Sequence, residues 1–190
     1  MNAPFSTHDG IAAPFLFDNV DTDQIIPSRE MKSVSKTGLA GGLFAGQRYI
    51  SGRIENPDFI LNQPEYRDAT ILVSGKNFGC GSSREHAVWA LKEYGFRVVI
   101  AESFGEIFYN NCVRNGILPI QLSKDVIAGL KRGVRIDLTA QTVDAKKFEI
   151  AEGDKAMLVG GLDPIAMTLE DEDVISAHFA RDARARPWLY

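Results

Sequence analysis

Gly79-Cys80-Gly81-Ser82-Ser83-Arg84-Glu85-His86 concentrates more chemistry than any other stretch of the 190 residues. The short β-branched run Thr70-Ile71-Leu72-Val73 precedes it, and Ala87, Val88, Leu91 and Tyr94 follow along one helical side, so it sits where a strand gives way to a helix. The first N–H groups of a helix lack partners and carry the positive end of its dipole, which makes this a place for an anion. Ser82 and Ser83 supply hydroxyls, and Arg84 can hold a carboxylate through two parallel hydrogen bonds. The same N–H groups would stabilise a serine alkoxide. The competing reading makes Ser82 only an N-cap, with Glu85 completing a capping box and Arg84 solvated. His86 follows Ser82 at helical spacing, but a serine hydrolase also needs an orienting acid, so His86 reads as structural. Cys80 reads as chosen for its size rather than its thiol.

The elements that must position these residues alternate. After the helix and its stop at Gly95, Phe96 to Ala101 reads as a buried strand, and Ser103 with Glu106 suggests a second capping box. A helix carrying Ile107, Phe108 and Val113 ends at Gly116, and Ile117 to Ile120 forms the next strand. Strand, helix, strand, helix, strand predicts an α/β fold with a largely parallel sheet and flanking helices. Val126, Ile127 and Leu130 mark a further helix, and Val134, Ile136 and Leu138 alternate as a half-exposed strand does. Phe148 to Ile150 and Met157 to Val159 suggest a hairpin or small second sheet, and the last twenty or so residues, acids first and bases last, suggest a surface helix. Upstream, residues 1–13 are small, polar and interrupted by Pro4 and Gly10, which predicts a flexible arm ahead of one domain over 14–190. Phe15-Leu16-Phe17 starts a strand that runs into an acidic loop, and the Gly-rich stretch from Arg29 to Tyr49 reads as a long loop or lid.

Composition narrows the function. A net charge of −4 without a long basic cluster argues against nucleic acid as a partner. No apolar run approaches the roughly 20 residues a membrane span needs, and no basic residue precedes Arg29 to open a signal peptide, so the expectation is a cytoplasmic protein with no membrane partner. Two isolated cysteines and three histidines cannot assemble a zinc site from neighbouring ligands or hold an iron–sulfur cluster alone, so no metal is expected on this chain.

Gly75-Lys76-Asn77-Phe78-Gly79-Cys80-Gly81-Ser82-Ser83-Arg84-Glu85-His86 resembles the G-x-N-[FY]-G-x-G-S-S-R-E-H signature of the aconitase superfamily swivel domain. Asp18-Asn19-Val20-Asp21-Thr22-Asp23-Gln24-Ile25-Ile26-Pro27 is similar to a segment of the 3-isopropylmalate dehydratase small subunits, as are Ser103-Phe104, Asn110-Asn111 and Asn115 to Pro119. The resemblance covers about residues 15 to 180. It implies an aconitase-like swivel domain that closes over a large partner subunit carrying a [4Fe-4S] cluster, as a heterodimer or higher assembly. The implied activity is a hydro-lyase of leucine biosynthesis that isomerises a small hydroxy-dicarboxylate by removing and returning water. By motif position it makes Ser82 the catalytic base and gives the substrate carboxylate to Ser83 and Arg84, with Asp23 at the site edge. Asp23 also reads as a loop-capping residue. In resembling proteins the stretch after Pro27 forms a loop over the site, which makes Arg29, Met31, Lys32 and Val34 candidates for substrate selectivity, against the reading of an ordinary solvated connection. Alternatives are a related hydro-lyase (homoaconitase, citraconate or methylmalate hydratase) and a non-catalytic ligand-binding module.

Overall fold

Ile71-Leu72-Val73 and Val98-Val99-Ile100-Ala101 are apolar on both sides, as strands covered on both faces must be. In the computed structural model, which describes residues 2–31 and 35–189, they are neighbours in a seven-stranded sheet of order β4-β3-β2-β1-β5-β6-β7. In chain order the elements are β1 (Thr7–Phe15), the single-turn helices α1 (Thr22–Ile25) and α2 (Ala45–Arg48), β2 (Ile71–Ser74), α3 (Glu85–Tyr94), β3 (Val98–Ala101), α4 (Glu106–Arg114) and β4 (Leu118–Gln121). There follow α5 (Lys124–Ala128), β5 (Gly133–Asp137), the two-residue strands β6 (Thr142–Val143) and β7 (Lys146–Lys147), α6 (Glu152–Gly160), α7 (Pro164–Glu170) and α8 (Glu172–Ala185). β1 to β4 are parallel, and β5, β6 and β7 extend the sheet antiparallel from the far side of β1.

Alternation along the strands divides the core between the two sheet faces. Ala13, Leu72, Val99 and Ala101 pack with Leu91 of α3 and with Phe44 and Phe59 of the long connection, while Ile71, Val73, Val98 and Ile100 pack with Ile127, Val134 and Leu158. Each of these valine, leucine, isoleucine and phenylalanine side chains taken fully out of water contributes about 1.5–3 kcal/mol before entropy is counted.

The structure corrects four local expectations. The expected flexible arm over 1–13 does not extend to residues 7–13, because Thr7 to Phe15 form β1, hydrogen-bonded to β2 on one side and β5 on the other. Gly10, which breaks the sequence pattern, is required there, since a Cβ would collide with the Thr70 hydroxyl. Neither capping box forms: α3 starts at Glu85 behind Arg84, and α4 starts at Glu106 behind Gly105, each without a side-chain cap. Met157 to Val159 lie within α6 rather than in a strand, with Leu158 as the buried contact.

Candidate functional site

The parallel strands all end at the same edge, and the loops that leave them meet there. In open α/β sheets this edge is where ligands bind. The loop after β2 is knitted to its neighbours by backbone hydrogen bonds: Gly79 N–H to the Val20 carbonyl at 2.7 Å, Thr22 N–H to Cys80 O at 3.0 Å, and Phe78 N–H to Ser103 O at 2.9 Å. Ser103 does not cap α4 because its hydroxyl accepts the Asn77 N–H at 2.8 Å, and Asn77 Nδ2 reaches Asn19 Oδ1 at 2.9 Å. Gly79 has a φ of +74°, and a Cβ there would fall on the Phe108 ring. Only glycine serves both the left-handed turn and that close approach.

These bonds carry Ser82, Ser83 and Arg84 to the N-terminal end of α3, with Arg84 at the N-cap. The Ser82 carbonyl turns inward, accepting Arg84 N–H at 2.8 Å and the buried Thr22 hydroxyl at 3.1 Å. Its hydroxyl and that of Ser83 belong to exposed residues and make no hydrogen bond among the described residues. Arg84 Nη1 forms an ion pair with Asp23 Oδ1. Asp23 is held in turn by α1, whose N-cap Asp21 accepts Gln24 N–H at 2.7 Å. The structure therefore joins Asp23 and Arg84, 61 residues apart in sequence, beside two free hydroxyls and the amide end of a helix. That arrangement holds a carboxylate and can stabilise an alkoxide next to it.

Asp23 also opens a cleft of about 480 Å³ whose wall includes Gln24, Pro27, Ser28, Arg29 and Gln47. Arg29, of the four selectivity candidates, faces this cleft, whereas Met31 packs partly against the core. Lys32 and Val34 lie outside the described residues. Gly46 and Gln47 are shared with an apolar groove bordered by Phe17 and Ile50, which are 61% and 53% exposed. Thr22, Gln24 and Gln47 were not singled out from the sequence. Thr22 stood inside the quoted Asp-Thr-Asp motif and was legible, whereas Gln47 enters the cleft only through the fold.

His86 does not serve Ser82: its ring lies against Trp89 with centroids 4.7 Å apart. Burial, and then the negative Asp21, pushes the Cys80 thiol above its usual range, and burial alone pushes Cys112 well above it. Protonated thiols are poor ligands and poor nucleophiles. Among the described residues no group of three or more His, Cys, Asp or Glu side chains is placed to hold a metal ion, so the donor set does not fit an iron–sulfur cluster. Among the described residues, too, no helix is long and apolar enough to cross a membrane.

Comparison with known proteins places the chain in a family. The Aconitase C-terminal domain family matches residues 2–125. The 3-isopropylmalate dehydratase small subunit of Cupriavidus necator is 51% identical over 203 residues, covering 98% of each chain, and that of Rhodopseudomonas palustris strain TIE-1 is 50% identical over 97% of this chain and 98% of its own. The crystal structure of 3-isopropylmalate dehydratase from Methanocaldococcus jannaschii superposes with a TM-score of 0.68 at 32% identity, over 90% of this chain and 98% of that one.

Proposed function

This chain belongs to the family of 3-isopropylmalate dehydratase small subunits, with the swivel-domain fold of the aconitase superfamily, and we propose that with a large subunit it interconverts 2-isopropylmalate and 3-isopropylmalate. The observation that carries the reading is the pairing of Arg84 with Asp23 at the start of α3, beside the hydroxyls of Ser82 and Ser83. A substrate carboxylate has the charge and planar shape of the Asp23 carboxylate that Arg84 already holds. Arg84 and Ser83 then bind that carboxylate and fix the adjacent carbon over Ser82.

Ser82 takes the proton from that carbon as its alkoxide, which the first-turn amides of α3 and the nearby guanidinium stabilise. A hydroxide leaves the neighbouring carbon and a double bond forms. Rehydration with the opposite regiochemistry returns the Ser82 proton to the other carbon and completes the isomerisation. The [4Fe-4S] cluster of the superfamily belongs to the large subunit in this reading, since the donors here do not fit it. The open site and the exposed Phe17 and Ile50 beside it support a surface that another chain covers. Arg29, with Met31, Lys32 and Val34, is the segment proposed to meet the part of the substrate that differs between related hydro-lyases.

The test is to assay the chain alone and reconstituted with its large subunit against 3-isopropylmalate, homoaconitate, citraconate and methylmalate. Turnover that needs both subunits and favours 3-isopropylmalate is the expected result. Preference for another acid moves the substrate assignment within the superfamily, and ester cleavage by the isolated chain would sink the hydro-lyase reading.

A further inference from the structure

On the flank of α3, one turn beyond the site motif, lies a second cavity, of about 430 Å³, which the reaction does not use. Its walls come from parts of the chain distant in sequence: Lys36 and Thr37 of the long connection, Trp89 and Lys92 of α3, Arg114 at the end of α4, and Asp163 ahead of α7. Its volume is within the range of small-molecule sites.

The charges of this cavity are unbalanced. The Lys36 ammonium lies over the Trp89 ring, 5.1 Å from its centroid. Lys92 Nζ donates to the neutral oxygens Asn2 Oδ1 and Asn115 O, both at 2.7 Å. The Arg114 guanidinium makes no hydrogen bond or ion pair among the described residues, since only its backbone carbonyl is engaged, by Asn2 Nδ2 at 3.0 Å. The two carboxylates of the lining are occupied elsewhere. Glu93 accepts the N–H groups of Gly38, Leu39 and Ala40 at 2.6, 2.5 and 2.8 Å, and Asp163 accepts Ala166 N–H at 2.8 Å. Three cations thus share one cavity with no carboxylate paired to any of them among the described residues. Burial of Lys92, and after it the nearby Arg97 and Lys36, pushes its ammonium below the usual range.

We propose that this cavity binds a small oxyanion, a phosphate or a dicarboxylate, gripped by Lys36, Lys92 and Arg114 beside the Trp89 ring. The anion supplies the paired acceptor that the three cations lack, and the flat indole accommodates an apolar portion of an organic ligand. Because Lys36 belongs to the long connection whose Ser28 and Arg29 line the Asp23 cleft, the bound anion fastens that connection to α3. This site stands whether or not the hydro-lyase reading holds, since it shares no residue with Ser82, Ser83, Arg84 or Asp23.

The two tryptophans allow a direct test in the full chain. Trp188 is 75% exposed near the C-terminus, so a Trp188→Phe background leaves Trp89 as the fluorescent reporter. Inorganic phosphate and, separately, malonate are titrated into it, with sodium chloride at matched ionic strength as the control. The expected result is a saturable change in Trp89 emission with phosphate or malonate and none with chloride. Arg114→Ala and Lys36→Ala should each raise the half-saturating concentration about tenfold, the worth of one charge-assisted hydrogen bond. The tighter of the two probes tells whether phosphate or carboxylate is the head group. A response that follows ionic strength alone, or is unchanged in both variants, overturns the site. Should Arg114→Ala lose its fold by circular dichroism, Lys36→Ala, on an exposed segment, decides.

Discussion

Two stretches of chain border the same cleft and are held in opposite ways. The loop from Gly75 to Arg84 is fixed by main-chain hydrogen bonds to the segments after β1 and β3, with Phe78 and Phe108 packed edge to face beneath it at 5.3 Å. The described residues between Ser28 and Ala40 are tied to the rest of the chain largely by side chains: Glu30 pairs with Arg53, and Glu93 gathers three N–H groups at residues 38 to 40. Main-chain bonds survive most substitutions, whereas side-chain tethers change with one codon. The loop proposed to place Ser82 and Arg84 for chemistry is therefore rigid, while the wall proposed to meet the variable part of a substrate is free to diverge.

The sharpest way to test that division is Ser82→Ala, which should lower turnover of the assembled enzyme by about 10²- to 10⁴-fold and leave the melting temperature nearly unchanged. Near-normal turnover would remove Ser82 as the base. Next in size is Gly79→Ala, where the new methyl strains a left-handed φ and displaces Phe108. A stability loss of about 2–4 kcal/mol in urea unfolding is expected, and a tolerated alanine would show that the loop is less rigid than its hydrogen bonds suggest. Arg84→Lys keeps the charge but loses the planar fork, so substrate KM should rise about tenfold with kcat less affected. The mildest is Glu93→Gln, which should speed amide exchange at Gly38, Leu39 and Ala40 about fivefold without touching the sheet, as expected for weakening a charge-assisted acceptor. The three N–H groups hold the Glu93 carboxyl below its usual 4.5, so the tether is whole above pH 4.5 and is lost as pH falls through the lowered value. The protection factors of these amides, with the intrinsic pH dependence of exchange divided out, should fall in that acid window in the parent chain and show no such fall in the variant.

Much of the rigid half was legible in the chain text. Buried strands such as Val98 to Ala101 announce themselves by unbroken apolar residues, and glycines at 79, 81, 95 and 116 mark the turns around α3 and α4. What misled was turn chemistry. Ser-x-x-Glu fits a capping box wherever it occurs, but here Asn77 claims the Ser103 hydroxyl and the Ser82 carbonyl folds toward Thr22. β1 was hidden because Pro4 and Gly10 interrupt the pattern, and the reason for Gly10 lies in another segment, the Thr70 hydroxyl. A run of three apolar residues such as Met157 to Val159 does not distinguish strand from helix, and the contact of α6 with α4 decided it. The Asp23–Arg84 pair could not be read at all without the fold, since nothing local links the two.

The position of β1 also sets a timetable for synthesis. Its antiparallel partner β5 lies far downstream, with Asp9 and Arg135 126 residues apart. At about 5–20 residues per second, a ribosome leaves β1 without that neighbour for roughly 6 to 25 s. For that interval a strand destined for the middle of the sheet has an open edge, the condition under which nascent chains pair wrongly with one another. Ribosome-stalled chains cut off shortly before β5 should therefore yield their first fifteen residues readily to protease, whereas chains long enough to have β5 clear of the exit tunnel should protect them. Equal protection at both lengths would show that β2 alone is enough to shelter the strand.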